Sequence, residues 1–260
     1  GTMGRALVKG LLAQGLHPRR LIASDPDAMR RRQARRAFGI RVTAENRRVA
    51  QAADVIVLAV KPHEMRIVLK ELAPVVTPRH LVISIAAGVT RRFIESRVPG
   101  VPVVRVMPNL PATVGGGFSA YALGCHATAA HRAVVQTIFA AVGEAVRLPE
   151  RLLDAVTAVS GSGPAYLLFF AQAWEEAAAR LGLPPSVARR AVRQTMRGSL
   201  RLLDSDTLSP QAWIARVASK GGTTEAALRV LARRRVRQGF REAIQAAARR
   251  SQELSHGCSS

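Results

Sequence analysis

The sequence predicts two domains of different class, an α/β domain with a doubly wound parallel sheet over residues 1–149 and an all-α domain over residues 150–254. Three observations carry this. Apolar, β-branched runs alternate with helical segments as far as Pro149, the grammar of βαβ units. The chain opens on Gly1-Thr2-Met3-Gly4, which fits the second and third glycines of a G-x-G-x-x-G/A turn running into a helix. Beyond Pro149 no convincing strand follows.

The opening helix is read from Ala6, Leu7, Gly10, Leu11 and Leu12 and stops at Gly15. The strand and first glycine that precede such a turn are missing from the sequence, so neighbouring strands are expected to be exposed and dinucleotide affinity weakened. Arg20 to Ser24 reads as a short strand, and Asp25-Pro26-Asp27 as a turn that also caps a helix ending near Phe38-Gly39. Asp25 lies about 20 residues past the glycines, where an acidic side chain meets an adenine ribose; turn and cap chemistry explains it equally well. Ile40 to Thr43 is a strand, followed by a short helix with Asn46 and Arg47. Asp54 to Val60 is continuously apolar, as in a parallel strand covered on both faces. Ligands gather at the carboxyl ends of such strands, which places Lys61 and His63 where a cofactor lies. A helix from Glu64 to Ala73 leads to the strand Leu81–Ile85 and the small-residue turn Ala86-Ala87-Gly88. Val103 to Met107 is the next strand, and Pro108-Asn109-Leu110-Pro111 with Gly115 to Gly117 forms a loop at the same edge. Phe118 to Leu123, a helix from Thr128 to Val142, and Glu144 to Leu148 complete the domain.

In the second domain, helices are expected at Ala165–Leu181, Pro184–Leu203, Gln211–Val217, 222–232 and 238–254, with a disordered tail over residues 255–260. Ser160-Gly161-Ser162-Gly163-Pro164 separates the first of them from the helix before it, with proline at a first-turn position where its missing N–H costs little. Tyr166, Leu167, Phe169, Phe170 and Trp174 nearly encircle that first helix, so it is covered on all sides, by a second subunit or as the centre of a bundle.

Composition narrows the function. With 48% hydrophobic residues the chain is globular, and no uninterrupted apolar run reaches the roughly 18 residues that span a bilayer. No signal peptide is seen. Cys125 and Cys258 lie far apart, no Cys/His spacing resembles a metal site, and a reducing cytoplasm follows as the expected compartment. The net charge of +22 comes from four lysines and thirty-five arginines. Arg189, Arg193, Arg197 and Arg201 recur every four residues along one helix face, a stripe that could meet nucleic-acid phosphates. Interleaved aromatics and any nucleic-acid module are lacking, so solvated helix faces are the expected reading.

The stretch Ser219-Lys220-Gly221-Gly222-Thr223-Thr224 puts two glycines and three hydroxyls where one helix ends and the next begins. The first amides of that helix have no partner within it, so a carboxylate or phosphate fits there; a glycine stop followed by a threonine N-cap explains the same residues.

Taken in order, Gly1-Thr2-Met3-Gly4, Ala23-Ser24-Asp25-Pro26, Ala59-Val60-Lys61-Pro62-His63, Ala86-Ala87-Gly88-Val89-Thr90, Met107-Pro108-Asn109-Leu110-Pro111, the run from Asp154 to Tyr166 and the stretch Ser219–Thr224 resemble pyrroline-5-carboxylate reductase over nearly the whole chain. The resemblance implies a Rossmann-like dinucleotide-binding domain, first strand missing, followed by a helical substrate-binding and dimerisation domain in a homodimer or ring of dimers. It implies reduction of 1-pyrroline-5-carboxylate to L-proline with NADP or NAD as cofactor, without nucleic acid, membrane or metal. Ser219, Gly222, Thr223 and Thr224 would hold the substrate carboxylate, the Thr224 hydroxyl facing the ring nitrogen as the catalytic group. Ala59, Lys61, Pro62, Ala87 and Asn109 would border the nicotinamide side; Gly1, Thr2, Met3, Ser24, Asp25 and Asn46 would line the phosphate and adenosine side. A related imine reductase or dehydrogenase, or a binding homologue without turnover, is the alternative. Two further positions depart from the family pattern: Lys220 stands where proline is usual, and Arg233-Arg234-Arg235 where a glycine-containing turn is common. Asp25 would repel a 2′-phosphate and favour NADH, whereas the family commonly accepts NADPH.

Overall fold

The computed structural model describes residues 1–205 and 207–257. The chain divides into two compact units, Gly1–Pro164 together with the segment from Ala246 onward, and Ala165–Gln245.

The first unit alternates helix and strand. In order these are α1 (Thr2–Ala13), β1 (Ile22–Ser24), α2 (Ala28–Phe38), β2 (Arg41–Thr43), α3 (Asn46–Ala52), β3 (Val55–Leu58), α4 (Met65–Leu72), β4 (Leu81–Ser84), α5 (Arg91–Glu95), β5 (Val103–Met107), β6 (Gly117–Leu123), α6 (Ala129–Ala140), β7 (Gly143–Arg147) and α7 (Leu153–Val156). The strands form two ladders: β1 pairs in parallel with β2, and the other five lie in the order β3-β4-β5-β6-β7. Only β5 and β6 run antiparallel. β1 and β3 each end a ladder.

The apolar pattern explains the packing. β4 is buried at every position, as its unbroken Leu-Val-Ile run requires for a strand covered on both faces. On α4, Met65, Val68, Leu69 and Leu72 recur at one-turn spacing and pack into a core with Ile56, Leu58, Val82 and Ile94. A second core gathers Leu7 of α1 with Ile83, Val106, Tyr121 and Phe139. Gly10 lets α1 approach the end of α6, since a Cβ there would collide with the Ala141 carbonyl. Asp27 is the cap of α2; its carboxylate accepts the N–H groups of Arg30 and Met29, which hold it below the usual carboxylate range, and Gly39 ends the helix at φ 64°.

The second unit is helical throughout its described residues. α8 (Gly163–Arg180), α9 (Pro185–Asp204), α10 (Pro210–Val217) and α11 (Thr223–Arg233) are followed by α12 (Val236–Gly257), which begins in this unit and ends in the first. Tyr166 and Phe170 of α8 stack edge-on against Phe240 of α12 at 5.7 and 5.8 Å. Few side chains are buried here, and Phe169 remains 67% and Leu168 64% exposed. Of the arginine stripe on α9, Arg189 and Arg193 approach Glu175 at 4.0 and 3.6 Å. The turn between α11 and α12 places Arg235 at φ 51°, the one non-glycine residue with positive φ among those described. An arginine thus adopts the left-handed geometry that a glycine would supply without a Cβ penalty.

Three expectations need correction. Ser160–Pro164 does not break the chain into two helices, because α7 continues through a π-helical turn, Thr157–Gly161, to within one residue of α8. As a result the helical stretch Glu150–Arg180, 31 residues long, is long and apolar enough to cross a membrane by length and composition, which uninterrupted apolar runs did not reveal. Nor is the C-terminal segment unstructured from Ser255, since α12 continues to Gly257; residues 258–260 lie outside the described residues.

Candidate active site

The strand ends of the first unit collect most of the residues expected to hold a dinucleotide. Gly1 is the N-cap of α1, and a Cβ on it would lie 4.0 Å from the Ala59 carbonyl oxygen, just past the end of β3. The Thr2 and Met3 amides sit in the first turn of this 12-residue helix, where N–H groups have no intrahelical acceptor and the helix dipole favours an anion. At the end of β1, the Ser24 hydroxyl donates to Asn46 Oδ1 at 2.7 Å, and the Asn46 amide donates to Glu71 at 2.8 Å. This side-chain chain ties the ends of β1, α3 and α4 together. Asp25 follows immediately. Its Oδ1 accepts the Asp27 N–H at 3.0 Å, and its other oxygen lies 3.9 Å from Arg30. Turn chemistry therefore occupies part of Asp25, while Asp27 alone caps the helix.

Past β3, Lys61 opens a 3₁₀ turn over Pro62–Glu64, and its N–H is accepted by the Glu64 carboxylate at 3.0 Å. Ala87 lies in the turn after β4, ahead of Gly88 at φ 76°. Asn109, after β5, is engaged at both ends of its amide: Oδ1 accepts the Phe118 N–H at 2.9 Å, and Nδ2 donates to Ser160 Oγ at 3.0 Å. Asn109 accordingly fixes the loop between β5 and β6 to the π-helical turn, a link that no local sequence pattern reveals.

Sequence reasoning missed a buried ionic cluster beside these loops. Arg105, on the fully covered part of β5, is 3% exposed. It lies 3.4 Å from Glu150 and 3.7 Å from Asp154. Glu150 also accepts the Arg91 main-chain N–H and its Nε, both at 2.8 Å, while the Arg91 guanidinium reaches the Leu123 carbonyl. Burial raises the Glu150 carboxyl, but hydrogen bonds from Arg91 and the charges of Arg91 and Arg105 outweigh it and hold the group below the usual range. An arginine inside an apolar strand is the available signal, because such a charge needs buried carboxylates nearby.

The stretch expected to cradle an anion, Ser219–Thr224, lies in the second unit. Gly222 is the N-cap of α11 with no side-chain cap, and Gly221 adopts φ 75°. The Gly222 N–H turns back to the Ser219 carbonyl at 3.0 Å, and the Gly221 N–H donates to Glu225 in the first turn. Ser219 and Thr223 are exposed and Thr224 half-buried, so the hydroxyls and first-turn amides of α11 stand on one short segment. The threonines do not serve as the N-cap, which answers the simpler alternative for this stretch. Among the described residues no group of His, Cys, Asp and Glu is arranged to hold a metal ion.

Comparisons with known proteins match the two parts of the sequence to different families. Residues 150–254 match the family described as pyrroline-5-carboxylate reductase dimerisation, and residues 1–88 match the NADP oxidoreductase family described as coenzyme F420-dependent. The pyrroline-5-carboxylate reductase of Synechocystis is 39% identical over 98% of this chain and 95% of its own. The solved pyrroline-5-carboxylate reductase of Coxiella burnetii superposes with a TM-score of 0.90 at 36% identity, covering 98% of this chain and 96% of that one. The Plasmodium falciparum pyrroline carboxylate reductase, solved with NADP bound, superposes equally well, TM-score 0.90 at 28% identity, over 98% of this chain and 95% of that one. A Rossmann-like domain followed by a helical dimerisation domain, with relatives alike from end to end, places the chain in the pyrroline-5-carboxylate reductase family.

Proposed function

We infer that this chain reduces 1-pyrroline-5-carboxylate to L-proline with NADPH or NADH. The observation that carries the reading is similarity to reductases of this name across 98% of the chain, both units included. The residues of the first unit fit a dinucleotide: an uncapped helix N-terminus for a pyrophosphate, and Ser24, Asp25 and Asn46 at the neighbouring strand end for the adenosine. Gly1, Thr2 and Met3 would hold the phosphates, while Ala59, Lys61, Pro62, Ala87 and Asn109 border the nicotinamide. When bound, the cofactor supplies the hydride.

The protein's share of the work is positioning. A cyclic imine protonated on nitrogen already carries the charge that draws hydride to its C=N carbon, so no strong acid is required. Ser219, Thr223 and Thr224 bind the substrate carboxylate through their hydroxyls and the first-turn amides of α11, and Gly222, whose own N–H is taken by the Ser219 carbonyl, leaves room for its close approach, which fixes the ring. The Thr224 hydroxyl orients the ring nitrogen and steadies its proton. Carbon gains the hydride, nitrogen keeps its proton, and the C=N double bond becomes the C–N single bond of proline. The exposed apolar side chains of α8 support a homodimer or a ring of dimers, and the free, exposed Cys125 fits a reducing cytoplasm. The test is oxidation of NADPH and of NADH by the purified chain with and without pyrroline carboxylate, proline being identified as product. No substrate-dependent oxidation with either cofactor would defeat the reading.

A further inference from the structure

The final turns of α12 return to the first unit and end against the turn that carries Ala87. Ser251 and Ser255, one helical turn apart, are 5% and 7% exposed. Both donate to the same oxygen of Asp154, at 2.8 and 3.0 Å, and that oxygen is the one 3.7 Å from buried Arg105. Two hydroxyls on one carboxylate oxygen, backed by a buried guanidinium, form a fixed attachment, because moving the helix would break both bonds at once. Between the two serines lies Leu254. A Cβ added to Gly88 would stand 3.2 Å from the Leu254 Cβ and 3.3 Å from its carbonyl group, so helix backbone and Cβ rest directly on Gly88, the neighbour of Ala87. The other end of the same turn is also tethered. Thr90 caps α5 through the Phe93 N–H at 3.2 Å, and Arg91 is held by Glu150, the second carboxylate of the cluster.

We propose that the end of α12 is a latch for the nicotinamide-side turn Ala86–Gly88: Ser251 and Ser255, fastened to Asp154, are positioning residues that hold the Leu254 segment against Gly88 and thereby set Ala87. The proposal rests on the reading above that Ala87 borders the nicotinamide. It separates the two ends of the dinucleotide, since Ser24 and Asn46 hydrogen-bond in a network that runs to Glu71, and Asp25 to its own turn. Releasing the latch should therefore weaken ligands that reach the nicotinamide side and spare those that occupy the adenosine side alone.

The experiment compares NADPH with 2′,5′-ADP, which lacks the nicotinamide, by titration calorimetry on the full chain carrying Ser251→Ala and Ser255→Ala. The expected result is a Kd for NADPH raised about tenfold with the Kd for 2′,5′-ADP unchanged. An equal weakening of both ligands, the mark of general loosening, would overturn the latch, and so would no change in either. Should the double variant lack a cooperative melt, Ser255→Ala alone is measured, with about a threefold rise confined to NADPH expected. Failure of the functional reading shows elsewhere, as absence of binding of both NADPH and NADH by the unsubstituted chain, and would take the latch with it; should only NADH bind, NADH is compared with 5′-ADP in the same way, and an unchanged ratio of the two Kd values in the variant counts against the latch alone.

Discussion

Replacing Glu150 by glutamine tests whether the buried cluster holds the first unit together. Glu150 accepts from the Arg91 N–H, from Arg91 Nε and, more distantly, from Arg105. Glutamine keeps one acceptor oxygen, which can retain the main-chain bond, but it presents an NH₂ group to one of the guanidinium donors and removes the negative charge. One charge-assisted hydrogen bond is lost, worth about 1.5–3 kcal/mol, and Arg105 retains only Asp154 as a counter-charge. Breaking a fully buried pair costs about 3–5 kcal/mol. Glu150 is 21% exposed and Arg105 keeps a partner, so the expected loss is about 2–4 kcal/mol at neutral pH. For a chain of this size each kcal/mol moves Tm by about 2–4 °C, so a drop of about 4–16 °C is expected. The assay is thermal and urea unfolding of both proteins from neutral pH downward. Because the folded-state pKa of Glu150 is depressed, its contribution is fully present above the unfolded value, near 4.3, and disappears as pH falls through the lower folded value. The gap between the two proteins should close over that acid window. Equal stability at neutral pH, or a gap that does not shrink in acid, would refute the reasoning.

Three other outcomes follow. Thr224→Ala should lower kcat for pyrroline carboxylate about 10- to 100-fold while leaving the Kd for NADPH nearly unchanged, since the hydroxyl is assigned to the substrate; a parallel loss of cofactor affinity in fluorescence titration contradicts that role. Phe169→Arg places a charge on the exposed apolar face of α8 and should shift sedimentation equilibrium toward the monomer, with an unchanged mass counting against this face as the subunit contact. Arg235→Gly should raise stability by about 0.5–1 kcal/mol in urea unfolding, because glycine takes the left-handed turn freely and the gain exceeds its extra entropy in the unfolded chain; a destabilised variant contradicts the strain argument.

Much of the architecture was legible because it rests on local pattern. The β-branched apolar run Leu81-Val82-Ile83 reads as a strand covered on both faces, and the one-turn spacing of Met65, Leu69 and Leu72 as a one-sided helix. Asp27 and Gly39 mark the ends of α2 by chemistry that acts within a few residues. The chain's punctuation misled at Ser160–Pro164, where two glycines and a proline suggest a break but a π-helical turn carries the helix onward. That turn is held by Asn109, far away in the sequence.

The sequence by itself determined the fold class, the change from α/β to helix after Pro149 and the family, because each is written in short-range spacing or in a motif. Only the tertiary structure decided that Asp25 is partly occupied by its own turn, that Arg105 is neutralised by Glu150 and Asp154, and that Ser251 and Ser255 fasten the last helix beside Gly88. These pairings join residues up to 101 positions apart. Burial makes each of them obligatory, since a charge or hydroxyl withdrawn from water must find a partner, yet it leaves no periodic trace in the chain from which that partner could be named.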